Sequence, residues 1–155
     1  MNSIFNYQKL NYTIKPIAST KTYLVRLPVL RKGKAIESCI FDGDDLETTF
    51  HLGIYLENEL VGVCSFFRNN SKLISAEFQY QLRGMAILET QQGLGLGTII
   101  LRHGESILKQ QNTPIIWCNA REKAINFYKK MGYNFIGEPF EIKDIGLHYR
   151  MYKEL

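Results

Sequence analysis

Ile87-Leu88-Glu89-Thr90-Gln91-Gln92-Gly93-Leu94-Gly95-Leu96-Gly97-Thr98 sets the architecture of this chain. Upstream, across residues 77–88, Phe78, Tyr80, Leu82, Ala86 and Leu88 alternate with Gln79, Gln81, Arg83, Met85 and Ile87. That period of two predicts a strand with one face on the core and the other toward a cleft. Downstream, from about residue 95 to 110, Leu96, Ile99, Ile100, His103 and Ile107 share one face of a predicted helix. Three glycines at alternate positions therefore join a strand to a helix. Such a turn leaves backbone N–H groups of Gln92, Gly93, Leu94, Gly95, Leu96, Gly97 and Thr98 without internal partners at a positive helix terminus, an anion site suited to a pyrophosphate. Glycine lets the backbone approach phosphate oxygens without an intervening Cβ.

A close-packing glycine turn is the plain alternative. A Rossmann dinucleotide site needs a third glycine where Thr98 stands and an acidic residue where Trp117, Cys118 and Asn119 lie. A P-loop needs Gly-Lys-Ser/Thr, which is missing. The glycine loop alone leaves nucleotide binding as a third functional class.

Working outward, residues 11–17 predict a first strand, and residues 20–31 a helix with Tyr23, Leu24, Leu27 and Leu30 at helical spacing, shortened or kinked by Pro28. Residues 31–47 are irregular. Residues 51–56 and 60–67 predict two strands joined by a hairpin at Glu57-Asn58-Glu59. Pro114 precedes an apolar strand over 115–118. Residues 122–131 predict a helix with Ala124, Phe127, Tyr128 and Met131 as its buried stripe and Gly132 at its stop. Two strands, about 133–137 and 147–153, end the chain. With a strand–helix–strand unit at the centre, this order predicts an α/β fold, a mixed sheet of six to seven strands flanked by helices, forming a single domain over residues 1–155.

Composition narrows the function classes. The chain has 155 residues, 45% apolar and 22% charged, and a net charge of +4 without a basic block. This gives no argument for nucleic acid. Residues 1–12 lack the apolar run of a signal peptide, and no stretch reaches the roughly 18 apolar residues of a membrane span. Cys39, Cys64 and Cys118 are odd in number and lack CxxC spacing, so they read as reduced thiols of a cytoplasmic protein. His51, His103 and His148 lie far apart, so no metal is expected. His103 reads as a packing residue and Cys118 as an inert thiol.

Gln92-Gly93-Leu94-Gly95-Leu96-Gly97 resembles the Q/R-x-x-G-x-G/A acetyl-CoA signature of the GNAT family of N-acetyltransferases. Residues 119–133, which end in Phe127-Tyr128-Lys129-Lys130-Met131-Gly132-Tyr133, resemble that family's second motif at its usual spacing. Residues 26–31, 51–53 and 146–151 look like a bacterial subgroup of small uncharacterised acetyltransferases. Glu89 stands where many members carry proline, and Arg121 where many carry asparagine, with Asn119 nearby.

The resemblance implies splayed strands over 77–88 and 115–118, with acetyl-CoA as co-substrate. Backbone groups of Met85, Ala86 and Ile87 would pair with its pantetheine arm, and residues 92–98 would hold its pyrophosphate. Asn119, Ala124 and Phe127 would touch the cofactor, and Tyr128 would be the general acid. Tyr128 also fits a packing role, and Asn119-x-x-Glu122 a helix cap. The base stays open among Glu77, Glu141, His51 and His148. The implied reaction is direct acetyl transfer to an amine of a small molecule, peptide or protein, with homodimerisation common in the family. A non-catalytic acyl-CoA-binding module is the alternative. Residues 32–48 and 139–146 are expected to face the acceptor, where Asp42, Asp44 and Asp45 either attract a cationic amine or form a surface turn.

Overall fold

The computed structural model describes residues 11–155, so for residues 1–10 the signal-peptide reading lies outside the described residues. Among the described residues there are eight strands: β1 (Tyr12–Ile17), β2 (Phe50–Leu56), β3 (Glu59–Arg68), β4 (Gln79–Ile87), β5 (Ile115–Arg121), β6 (Asn134–Phe135), β7 (Phe140–Ile142) and β8 (Gly146–Glu154). The helices are α1 (Ser19–Leu30), α2 (Leu96–Gln110) and α3 (Ile125–Lys130). One mixed sheet runs β1-β2-β3-β4-β5-β8-β6, with β7 also paired to β8. Among the described strands only β4 and β5 are parallel, as a strand–helix–strand crossover through α2 requires. The strand that the sequence reading lacks, β7, is three residues long, too short to show an alternating pattern.

Local chemistry explains the turns. Glu57 and Asn58 both have positive φ (46° and 74°), giving a two-residue hairpin loop whose twist matches its strands. Gly132 ends α3 at φ 91°, where a residue with a Cβ would be strained. Pro28 lies in the last turn of α1, where the twelve-residue helix accommodates it.

Helices cover opposite faces of the sheet. Beneath α2, Leu52, Ile54, Phe66, Ile100, Leu101 and Leu108 form the main core. Beneath α1, Val25, Val63 and Ala86 form a smaller cluster. Two expected faces are corrected here. α1 buries Thr22, Val25 and Arg26, whereas Leu24 is 67% exposed. α2 buries Gly104, Glu105 and Leu108 instead of His103, which is exposed. The physical reason in α1 is an ion pair: Arg26, fully buried, meets Asp44 through two contacts of 2.7 and 3.0 Å. Asp44 is therefore an internal counter-ion and not part of an acidic surface turn.

Strict alternation along β4 is also corrected. Val63 faces Ala86 and Ser65 faces Arg83, so three residue steps on β4 match two on β3. This β-bulge contains Gly84, at φ 63°. Before it, Tyr80 and Leu82 face the α2 core; after it, Met85 and Ile87 do, while Ala86 faces α1.

Candidate active site

β4 and β5 pair only from Gln79 opposite Ile115 to Leu82 opposite Cys118. Both strands continue, but each is held by its outer neighbour. β4 stays on β3 through Ala86–Val63 and Ile87–Gly62. β5 stays on β8 through Asn119–Arg150, Ala120–Tyr149 and Arg121–His148. A notch opens between them, inside a cleft of about 730 Å³. Leu88 donates its N–H to Val61 O at 2.8 Å on the β3 side. Alternation along the strand then turns the Ile87 N–H to the side that β5 has left.

The glycine loop forms one wall. A 3₁₀ turn over Glu89–Gln91 leads to Gly93 and Gly95, both at φ 81°. A Cβ on either glycine would meet nothing within 4 Å, so the left-handed backbone, and not a lack of space, calls for glycine there. The first helical bond of α2 runs from Ile99 N–H to Gly95 O at 3.2 Å, and the amides of residues 93–98 have no backbone partner among the described residues. Gln92 Nε2 donates to Ile87 O at 2.9 Å, tying the loop to the end of β4. A run of unpaired amides at the start of a fifteen-residue helix fits a diphosphate.

Met85, Ala86, Ile87, Gln92, Gly93, Gly95, Leu96, Gly97 and Thr98 all line this cleft, as do Asn119, Ala124, Phe127 and Tyr128. Leu94 does not; its side chain is 46% exposed. Asn119 is not a helix cap, because it lies within β5, where its Oδ1 accepts from Arg150 Nε at 3.1 Å. The expected helix over 122–131 instead begins as a 3₁₀ turn, Glu122–Ala124, that lacks a side-chain cap.

Tyr128 stands on α3 with its ring buried between Phe127 and Tyr133, at centroid distances of 5.1 and 5.4 Å. Burial, and then the neighbouring Cys118 and Cys64, push its phenol well above the ordinary value. The group is therefore a protonated donor throughout the neutral range. Burial likewise raises the thiols of Cys64 and Cys118, which keeps them protonated and unreactive.

Of the four residues considered as base, only His148 lines the cleft. His51 is buried in β2, bridging Ser65 Oγ at 2.6 Å and Asp44 O at 2.8 Å. Glu77 and Glu141 are exposed. His148 is buried on β8, stacked 6.0 Å from Phe140. Its Nδ1–H donates to Gly146 O at 2.8 Å, which leaves Nε2 as the free lone pair.

Sequence reasoning missed the cationic wall formed by Arg31, Arg83 and Arg121 beside Phe41. Its signal was present in part, since Arg83 sits among the alternate positions of β4. Arg31 and Arg121 come from distant segments that only the fold unites. Among the described residues no group of three or more His, Cys, Asp or Glu side chains could hold a metal ion. No helix among them is long and apolar enough to cross a membrane.

Comparison with known proteins agrees with this geometry. Residues 19–133 match the family model described as the acetyltransferase (GNAT) family. The chain is 37% identical over 142 residues to the uncharacterised N-acetyltransferase YitI of Bacillus subtilis (strain 168), covering 92% of this chain and 95% of that one. Two solved structures share the fold at low identity. One is a GNAT family acetyltransferase from Elizabethkingia anophelis with acetyl-CoA bound, at TM-score 0.68, 16% identity, and 94% and 99% coverage of the two chains. The other is an aminoglycoside 6'-N-acetyltransferase complexed with coenzyme A, at TM-score 0.72, 12% identity, and 92% and 96% coverage. The chain belongs to the acetyltransferase (GNAT) family and is an acetyl-CoA-dependent acetyltransferase.

Proposed function

We propose that this chain, acting as one domain over residues 1–155, transfers an acetyl group from acetyl-CoA directly to a primary amine of a small molecule, peptide or protein. The observation that carries the reading is the meeting of three features in one cleft: the strand edge exposed beyond Leu82, the unpaired amides of residues 93–98, and Tyr128.

Residues 93–98 hold the diphosphate, and Gln92 fixes their loop to β4. Main-chain groups of Met85, Ala86 and Ile87 take the pantetheine arm as a sheet edge takes an added strand. Ala124, Phe127 and Asn119 form the facing wall. An alkyl ammonium titrates near 10.4, so the acceptor must lose a proton before it attacks. His148 Nε2 takes that proton. The Ile87 N–H donates to the carbonyl oxygen as negative charge gathers on it, in the manner of an oxyanion hole. The Tyr128 hydroxyl then gives its proton to the departing thiolate, whose conjugate thiol titrates near 8.5, and the phenolate is reprotonated by the surplus proton of the new amide nitrogen. No enzyme-bound acyl group is formed. All three cysteines are buried and free, in keeping with a cytoplasmic setting.

The test is a panel of primary amines incubated with acetyl-CoA and followed by thiol release, alongside melting with coenzyme A, ATP and NAD. Coenzyme A at about 100 times its Kd should stabilise by about 2.7 kcal/mol, with ATP and NAD giving far less. Stabilisation by NAD or ATP alone, or thiol release that no amine accelerates, would refute the reading.

A further inference from the structure

Charges on the α1 side of the cleft do not balance. Arg31, Arg83 and Arg121 all line it. The ion pairs among the described residues are Arg26–Asp44, His51–Asp44 and Lys153–Glu105, and none involves these three arginines. Residues 1–10 contain neither Asp nor Glu. Arg26, the fourth guanidinium here, is neutralised by Asp44. Asp42, the other carboxylate close enough to act on Arg83, is exposed.

The arginines are held in place as well as crowded. The Phe41 ring carries the guanidinium carbons of Arg26, Arg83 and Arg31 at 3.9, 4.7 and 5.2 Å from its centroid. Arg31 Nε donates to Ser38 O at 3.2 Å, and Arg31 Nη1 to Leu30 O at 3.1 Å. Arg121 Nη2 reaches Leu30 O at 3.4 Å. Each guanidinium has five N–H donors, so most remain free to point into the cleft. Burial, and then the charge of Arg26, pull Arg83 below its ordinary value; burial, and then Arg31, do the same to Arg121. Asp44 and Asp42 offset part of this at Arg83, but no carboxylate among the described residues pairs with any of the three, so like charges stay gathered at a cost that an anionic ligand would offset.

The cofactor diphosphate is not that ligand. Its amides lie at the start of α2, whereas Arg83 lies over the Phe41 ring together with Arg26 of α1, on the side of β4 that Ala86 presents to α1. We propose that Arg31, Arg83 and Arg121 form an anion subsite for the acceptor, which is an amine that also bears a carboxylate or phosphate. Paired guanidiniums suit either group, since both accept two parallel N–H bonds. A polyamine or aminoglycoside would instead bring further cations against three guanidiniums. The subsite rests on the amine-acetylation reading above and names its substrate class.

The test compares matched acceptors: amino acids and dipeptides against their carboxamides, phosphoethanolamine against ethanolamine, and spermidine. The expected result is at least about tenfold higher kcat/KM for the anionic member of a pair, the size of a lost charge-assisted bond. Arg83→Gln should erase that preference, recover it in part as Arg83→Lys, and leave the KM for acetyl-CoA unchanged. Carboxamides or spermidine matching the anionic amines would overturn the subsite. So would a rise in acetyl-CoA KM in Arg83→Gln with acceptor preference intact. A second readout does not depend on turnover: N-acetyl amino acids, but not their amides, should raise the Tm of the coenzyme A complex, and Arg83→Gln should abolish the rise. That rise without turnover of any amine keeps the subsite and overturns the transfer reading; equal effects of acid and amide overturn the subsite.

Discussion

Tyr128 and Tyr133 pack ring against ring at 5.4 Å, yet phenylalanine substitution should affect them in opposite ways. Neither hydroxyl has a hydrogen-bond partner among the described residues, but Tyr133 Oη is sealed from solvent and orphaned whereas Tyr128 lines the cleft. Tyr128→Phe removes a cleft-facing proton donor and keeps the buried ring, so the fold should be nearly unchanged. If the phenol serves the departing thiolate, kcat should fall about 10²–10⁴-fold, or about 2.7–5.5 kcal/mol of barrier. Tyr133→Phe instead removes a buried unsatisfied donor and should stabilise by about 1–2 kcal/mol, a gain of several degrees in Tm, with little change in kcat. Steady-state thiol release at saturating acetyl-CoA, with circular dichroism melting of both variants, measures all four quantities. Because the raised Tyr128 phenol stays protonated, wild-type kcat should not decline through its ionisation as pH rises toward about 10. Retention of kcat within threefold in Tyr128→Phe, or equal losses in the two variants, would refute the assignment.

Gly104→Ala places a Cβ inside the Phe66 ring's van der Waals envelope, and Phe66 is fully buried and stacked on Phe50 at 4.7 Å. The ring has little room to yield, so urea unfolding should show a loss of about 3 kcal/mol; a loss under about 1 kcal/mol would mean that α2 shifts freely. Gly95→Ala meets no steric obstacle but forces a Cβ-bearing residue to φ 81°, at a cost of about 1 kcal/mol. Its KM for acetyl-CoA should rise about fivefold or more while the fold persists, and an unchanged KM would count against the loop's role. Burial raises the Glu105 carboxyl in spite of its 2.6 Å pair with Lys153. The folded state therefore binds that proton more tightly than the unfolded chain. Its contribution to stability is fully present below about 4.3 and is lost as pH rises through the raised folded value. Glu105→Gln lacks this titration and should gain on wild type in Tm across that window; a constant difference would contradict the raised value.

How much the sequence disclosed depended on whether the signal was local. The glycine loop, the central strand–helix–strand unit, the two-residue hairpin and the Gly132 stop are all set by neighbours within a few positions, and each lies where its residues imply. The cleft-lining residues near Gln92 and Tyr128 were legible for the same reason. Long-range partners misled. Leu24 and Leu27 looked like the inner stripe of α1 because nothing nearby reveals that Arg26 meets Asp44, eighteen positions away. Asn119 looked like a cap because Glu122 follows three residues on, and nothing local reveals that β5 continues to Arg121, held by β8 from the far end of the chain. The period of two along β4 fails at Gly84, since an extra residue is visible only against the partner strand. The cationic wall was hidden in the same way.

The extra residue in β4 decides which of its side chains address which of two compartments. Ala86 packs toward α1 and Arg83 over Phe41 beside Arg26 of α1, whereas Leu82, Met85 and Ile87 look toward α2. Changes to the arginine wall can accumulate on one side without disturbing the packing of Leu82, Met85 and Ile87 on the other. A lineage could thus retarget such an enzyme by altering Arg83 and its neighbours while the handling of the thioester stays as it was.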